Sequence, residues 1–376
     1  MNVLQVYKDY FPPVRGGIEG HINLLARGLK QRHVHVDVLV SNTNPSLSIE
    51  SIDDITVTKV PQLGRIASAP INYNLHAWIK ELGKRADIVH FHLPNPTAVI
   101  SYFLSGVRKT TVVTYHSDIV RQRRLGALFQ PILLHFLTQA DAIIATSPVY
   151  VQSSKILSKF RQKCRLVPLG VDLSRFDGKS EGELSAAAIR KLHGERLLLF
   201  IGKFRYYKGL HILIEAMKDV EAKLLLIGEG YQEHELRRQV HSSGLDGKIR
   251  FLGELSDEAT SAYLKACDVF VLPSVMRSEA FGVVLLEAMA CGRPVISTDL
   301  GTGTSFVNEH QKTGLVIPPN DAKALARAIT HLLECPELGD TYGRTGQQRV
   351  QSQFSANKMV DGIVEVYRSC LPDRSP

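Results

Sequence analysis

The chain of 376 residues is too long for one ordinary domain and suits two of about 150 to 200 residues each. With 44% hydrophobic and 22% charged residues it reads as globular; no apolar run approaches the roughly 18 residues that a membrane helix needs. The net charge of +8 is uneven, with twenty Lys and Arg against eleven Asp and Glu in residues 1–172 and near balance beyond, which without interleaved aromatic residues argues against nucleic acid and for an anionic membrane surface.

Short apolar runs alternate with helical patterns, the signal of parallel sheets covered on both faces. Met1–Tyr7 reads as a first strand and not as a secretory signal, so a cytosolic place is expected. In the first half, strands are predicted at Val3–Tyr7, Val34–Val40, Ile55–Val60, Ile88–His92, Thr111–Tyr115, Ala142–Ala145 and Cys164–Pro168. Helices are predicted at Ile18–Lys30, Leu75–Lys84 and Leu125–Gln139. A polar stretch from Leu173 to Glu195 interrupts the alternation as a linker would. The pattern restarts with Arg196–Ile201, Ala222–Ile227, Lys248–Leu252, Val269–Leu272 and Pro294–Ser297, and closes with a helix over Ser355–Cys370. Two doubly wound α/β domains follow, with ligands expected at the carboxyl ends of the strands. Five scattered cysteines, without a Cys-x-x-Cys pair, fit reduced thiols.

Several segments at predicted strand ends carry chemistry. Gly16-Gly17 lies between the first strand and first helix, where glycines allow positive φ and expose backbone N–H groups to a phosphate or hydroxyl; a plain tight turn is the alternative. Thr114-Tyr115-His116-Ser117-Asp118 puts a histidine at a strand's carboxyl end, facing the crevice; His90 and His92 end another strand and compete for the same reading. Lys203, Arg205 and Lys208 gather three cations in Ile201–Gly209, at the start of a helix, an anion site of high local charge. Gly228-Glu229-Gly230 lacks the third glycine of a dinucleotide fingerprint. The run Ser278-Glu279-Ala280-Phe281-Gly282-Val283-Val284-Leu285-Leu286-Glu287 holds two carboxylates eight residues apart. The first is expected in a loop entering a helix and the second one to two turns inside it, so both can reach one ligand. Acids placed only to suit a helix dipole are the competing reading.

The order of acid, Phe-Gly, apolar stretch, acid and then Cys291-Gly292-Arg293-Pro294-Val295 resembles the Glu-x7-Glu signature of the retaining nucleotide-sugar glycosyltransferases called GT4. The resemblance covers essentially the whole chain. It implies a GT-B fold: two Rossmann-like domains, 1–172 and 173–354, facing a central cleft, with a C-terminal helix (355–376) crossing back to the first domain. It assigns Glu287 to the ribose of the nucleotide, Glu279 to the transferred sugar, and Ala280, Phe281, Gly282 and Val283 to the diphosphate. Lys208 joins the grip on the leaving group, and His116, Glu279 and Lys208 form the catalytic set. Either Lys203 or Arg205 stands for the family's arginine, a departure that matters because lysine makes no planar bidentate contact. Gly17 and Gly228 complete the donor site, and Gly16 and Asp118 are placed near the acceptor, with orientation of His116 as a second role for Asp118.

No Asp-x-Asp occurs, so no metal or other cofactor is expected, and cations with helix-start N–H groups neutralise the leaving group. His116–Gln122 and Glu279–Val307 look most like bacterial O-antigen and exopolysaccharide mannosyltransferases. GDP-mannose is then the favoured donor, a lipid-linked oligosaccharide the acceptor, and the inner face of the cytoplasmic membrane the workplace. GDP-rhamnose or a UDP-sugar is the alternative donor. A nucleotide-sugar epimerase or phosphorylase, and a non-catalytic nucleotide- or glycan-binding relative, are the rival functions.

Overall fold

The computed structural model describes residues 1–119, 123–178 and 185–372. They form two compact units, Met1–Gly170 with Ala356–Pro376, and Val171–Ser355.

In the first unit the strands run β1 (Asn2–Val6), β2 (His35–Ser41), β3 (Ser48–Ile52), β4 (Ile55–Val60), a separate hairpin of β5 (Gly64–Ile66) and β6 (Ala69–Ile71), then β7 (Ile88–Leu93), β8 (Thr110–Tyr115), β9 (Ala142–Ala145) and β10 (Cys164–Leu166). The main sheet has the order β10-β9-β8-β7-β1-β2-β4-β3. Its pairs are parallel except for β3 on β4, an edge strand that the predicted pattern omits, as it does the hairpin. β3 escapes because it is largely exposed and lacks the continuous apolar run that marks the inner strands, such as Ile88–Leu93. The chain adds β2 on one side of β1 and later β7 on the other, so the strand order reverses between β1 and β7. That is the switch point where a doubly wound sheet opens a crevice.

The final helix, Ala356–Cys370, belongs to this unit. Met359, Val360, Ile363, Val366 and Tyr367 enter the core with Val3, Ile22 and Leu25. Gly28 permits the approach of helix Gly17–Gln31, since a Cβ there would lie 2.5 Å from Val360 Cγ2. His90, buried on β7, locks the arrangement: its Nδ1 is 2.6 Å from Tyr367 Oη and its Nε2 2.7 Å from Thr114 Oγ1.

The second unit contains β11 (Leu197–Ile201), β12 (Lys223–Ile227), β13 (Ile249–Gly253), β14 (Val269–Leu272), β15 (Val295–Thr298) and β16 (Gly314–Ile317), in the order β13-β12-β11-β14-β15-β16. All pairs are parallel. Its switch point lies between β11 and β14. The stretch expected as a linker carries two short helices, Ser174–Asp177 and Ala186–His193. Polar composition hides the second one, yet Ser185 caps it by accepting from Ala188 N at 3.1 Å while Ile189 is buried. Residues 179–184 of that stretch, and Val120–Gln122 of the segment after His116, lie outside the described residues.

Candidate active site

In the second unit, the loops leaving β11 and β14 meet at the switch point. The β11 loop makes a single 3₁₀ turn, Tyr206–Lys208, before helix Leu210–Ala216 starts after Gly209, which has φ +71°. A Cβ on Gly209 would lie 2.0 Å from the Pro273 carbonyl, so only glycine lets this loop sit against the one leaving β14. Val275 N donates to Tyr207 O at 2.7 Å and ties the two together. Lys208 Nζ consequently lies 2.5 Å from Glu279 Oε2, and Ser274 Oγ donates to the same oxygen at 3.0 Å. The side chains of Lys208 and Glu279 are only 12% and 10% exposed. Burial pulls the Lys208 ammonium down, but the facing Glu279 carboxylate outweighs it, and the net shift is upward. Arg205, exposed on the same loop, opposes that rise weakly.

The carboxylate loop is held from its other side as well. Thr302 Oγ1 donates to Glu279 O at 2.8 Å, Gly303 N to Ala280 O at 2.7 Å, and Arg277 to the carbonyls of Leu300 and Gly301. Gly282 then takes φ +79° and opens helix Val283–Ala290; Leu285 N donates to Gly282 O at 2.8 Å, and no side chain caps the N–H groups that precede it, a helix start suited to an anion. Glu287 lies one turn into this helix. Arg175 bonds its Oε1 at 3.3 Å and also pairs with Asp257 at 3.0 Å. Burial raises the Glu287 carboxyl above its ordinary value, with Arg175 opposing. Gly228, at φ +125°, brings the β12 loop onto the β11 loop, since a Cβ there would meet Gly202 O at 2.2 Å. Phe204 N donates to Glu229 O at 2.8 Å across the same contact. Lys203 is half-buried beside it.

The switch point of the first unit gathers histidines. His92 is the last residue but one of β7, His116 follows β8, and His21 lies on helix Gly17–Gln31; all three are buried. His92 Nδ1 and His116 Nε2 are 3.1 Å apart, and the His21 ring stands edge-on to His116 at 5.1 Å between centroids. His92 Nε2, His116 Nδ1 and both nitrogens of His21 make no hydrogen bond within the protein. Burial pulls His21 down to about 4 and holds His92 and His116 well below the usual imidazole range, so all three are neutral near pH 7. Buried imidazole nitrogens without partners are costly unless a ligand's hydroxyls or a water meets them. Among the described residues these three also form the set suited to a metal, their ligand atoms all lying within 4.8 Å of one another.

Three expectations change. Gly16 has φ −165° and Gly17 begins the helix, so neither uses the positive φ anticipated for them. A Cβ on Gly16 would only displace the Glu19 carboxylate, at 2.2 Å from its Oε2. Asp118 accepts from Tyr115 Oη at 3.0 Å and Ser154 Oγ at 2.7 Å, and the neighbour that orients His116 is His92. Of the rival histidines, His90 is structural. His21 and Arg175 were not anticipated. His21 had a weak signal in its position one turn after Gly17, whereas Arg175 sits in a stretch that reads as linker.

The family model described as "Glycosyltransferase Family 4" matches residues 15–175, and that described as "Glycosyl transferases group 1" matches residues 183–349. The chain is 38% identical over 375 residues to an O-antigen chain mannosyltransferase of Escherichia coli, covering 100% of both. It is 36% identical to a D-rhamnosyltransferase of Pseudomonas aeruginosa over 95% of this chain and 93% of that one. Among solved structures, HepE of Anabaena in complex with UDP superposes with a TM-score of 0.80 at 20% identity, covering 98% of this chain and 100% of that one. The chain belongs to the GT4-type glycosyl transferases group 1 and has their GT-B fold: it is a glycosyltransferase.

Proposed function

We propose that the protein transfers mannose, with retention of configuration, from GDP-mannose to a lipid-linked oligosaccharide during bacterial O-antigen or exopolysaccharide synthesis. It would work as a peripheral protein on the inner face of the cytoplasmic membrane. The observation that carries the transferase chemistry is the buried Lys208–Glu279–Ser274 cluster beside the uncapped helix start at Gly282. The mannosyl assignment rests on the full-length similarity to the Escherichia coli mannosyltransferase.

In this reading Glu287 takes the ribose hydroxyls and Glu279 the hydroxyls of the transferred sugar, a carboxylate being able to accept two donors with charge assistance. The unpartnered nitrogen of His116 meets a further sugar hydroxyl. The leaving diphosphate takes the acceptor's proton as the glycosidic bond to the sugar breaks and the new bond forms on the same face. Its charge is borne by Lys208, by Lys203 or Arg205, and by the N–H groups of Phe281, Gly282 and Val283. No metal is required, since these groups supply the positive charge.

The 36% identity to a D-rhamnosyltransferase supports GDP-rhamnose as the second reading. Purified protein incubated with radiolabelled GDP-mannose, GDP-rhamnose or UDP-glucose and a lipid extract bearing truncated O-antigen separates the readings. Label reaching the lipid fraction from GDP-mannose alone is expected, and transfer only from another donor would overturn the mannosyl assignment.

A further inference from the structure

Two neighbouring surface helices of the first unit are without Asp, Glu, Lys or Arg over nearly their whole length, Arg123 and Arg124 at the start of the second being the exceptions. Residues 93–107, containing helix Pro96–Ser105, have none, and neither do residues 125–140 of helix Arg123–Gln139. The helices pack together through Phe103, which stacks on the His135 ring at 5.4 Å, and through Tyr102 and Phe103, which stand edge-on to Phe136. On their outer side they leave Ile100 42%, Leu104 68%, Leu125 51%, Leu128 78% and Ile132 38% exposed. Ile100 and Leu104 are one helical turn apart, and so are Leu128 and Ile132, so each helix presents an apolar stripe and not isolated residues. An uncharged double stripe of this kind is what a soluble surface avoids.

The rim is charged with one sign in excess. Helix Leu75–Arg85 packs beside helix Pro96–Ser105, its Gly83 set against Val107, and it exposes Lys80, Lys84 and Arg85 against a single acid, Glu81. Arg108 and Lys109 are exposed just past the end of the second helix named. Apolar anchors ringed by cations match a bilayer with anionic headgroups, whose acyl boundary takes the leucines while its phosphates meet the cations. A protein partner would be served by alternating charge, and nucleic acid would have no use for the leucines.

We propose that the face made by helices Pro96–Ser105 and Arg123–Gln139 docks on an anionic lipid bilayer, with Leu104, Leu125, Leu128 and Ile132 as its insertion anchors. The inference deepens the membrane-bound acceptor reading above and rests on it. Helix Arg123–Gln139 follows His116 by only a few residues, so the docked face lies next in sequence to the sugar-binding segment.

The test is co-flotation of the full chain with vesicles of phosphatidylcholine and phosphatidylglycerol in equal parts, or of phosphatidylcholine alone. Wild type is expected to float with the anionic vesicles in low salt and to release as salt rises. Leu128→Asp combined with Ile132→Asp is expected to lower the bound fraction about tenfold, and Lys80→Glu with Lys84→Glu to weaken binding to anionic vesicles only. All these positions are exposed, and stabilisation by a nucleotide sugar, measured without vesicles, checks that each variant is folded. That readout also separates failure of the docking face from failure of the transferase reading. Wild type that stays unbound on anionic vesicles, or the Asp variant floating like wild type, overturns the proposal. A stable wild-type dimer in light scattering that the Asp variant splits would assign the face to self-association and equally overturn it.

Discussion

Lys208 and Glu279 are each worth more as a pair than apart. Both are nearly buried, so removing one leaves an uncompensated charge in a low-dielectric site. Lys208→Ala is expected to cost about 3 to 5 kcal/mol in urea denaturation, besides abolishing transfer; Lys208→Ala combined with Glu279→Gln should recover much of the stability and none of the activity. Because Lys208 is held above its ordinary value, the pair's stability is complete below the lysine range and is lost as pH rises through it. The histidines act at the other end of the scale. His21 is held at about 4 and His90 at about 3, so the native state binds fewer protons than the unfolded chain, where imidazoles titrate normally. Their stabilisation is complete above the unfolded imidazole range and declines as pH falls through about 6 towards 4. The urea midpoint at pH 5 should lie clearly below that at pH 7, and replacing His21 by Phe should reduce the difference without removing it, since His90, His92 and His116 remain. The glutamate pair was legible in the sequence because spacing and the Phe-Gly between them fix where each acid falls on a helix start. Its partners were legible only in part. Ser274 lies in the neighbouring motif, but Arg175 reaches Glu287 from a distant segment, as His21 reaches His116 in the first unit, and no local spacing records either.

At the scale of elements, the parallel strands were readable because burial on both faces turns them into continuous apolar runs, as in Leu197–Ile201. The edge strand Ser48–Ile52 and the hairpin Gly64–Ile71 were not, since exposed strands need neither. Helix Ala186–His193 was lost in a polar stretch although its Ser185 cap was present. The terminal helix was expected from its apolar period, but what anchors it was not: one hydrogen bond joins His90, on a strand read as a possible sugar-binding segment, to Tyr367. Tyr367→Phe leaves a fully buried imidazole nitrogen without its partner. It should destabilise the first unit by about 1 to 3 kcal/mol and raise the rate at which protease clips the C-terminal helix, with nucleotide binding unchanged. Loss of nucleotide binding with unaltered proteolysis would show that the helix does something other than hold this unit together.

For the whole molecule, the account divides labour between the units. The second carries the Lys208–Glu279 cluster and the uncapped helix start to which donor binding is assigned, and the first carries the buried histidines and the face proposed to dock on lipid. In the proposed mechanism positive charge comes from side chains and helix-start N–H groups, so transfer from GDP-mannose should survive dialysis against EDTA at full rate; recovery of lost activity by added magnesium would point to a metal on the diphosphate. The measurement that bears most directly on the central claim is thermal stabilisation of wild type and Glu287→Ala by GDP, UDP, GDP-mannose and UDP-glucose. At a ligand concentration near a hundred times the dissociation constant, the shift corresponds to about 3 kcal/mol. The account predicts that GDP and GDP-mannose stabilise wild type and that Glu287→Ala abolishes the effect. Equal stabilisation of the variant, or no response of wild type to any nucleotide, would contradict it.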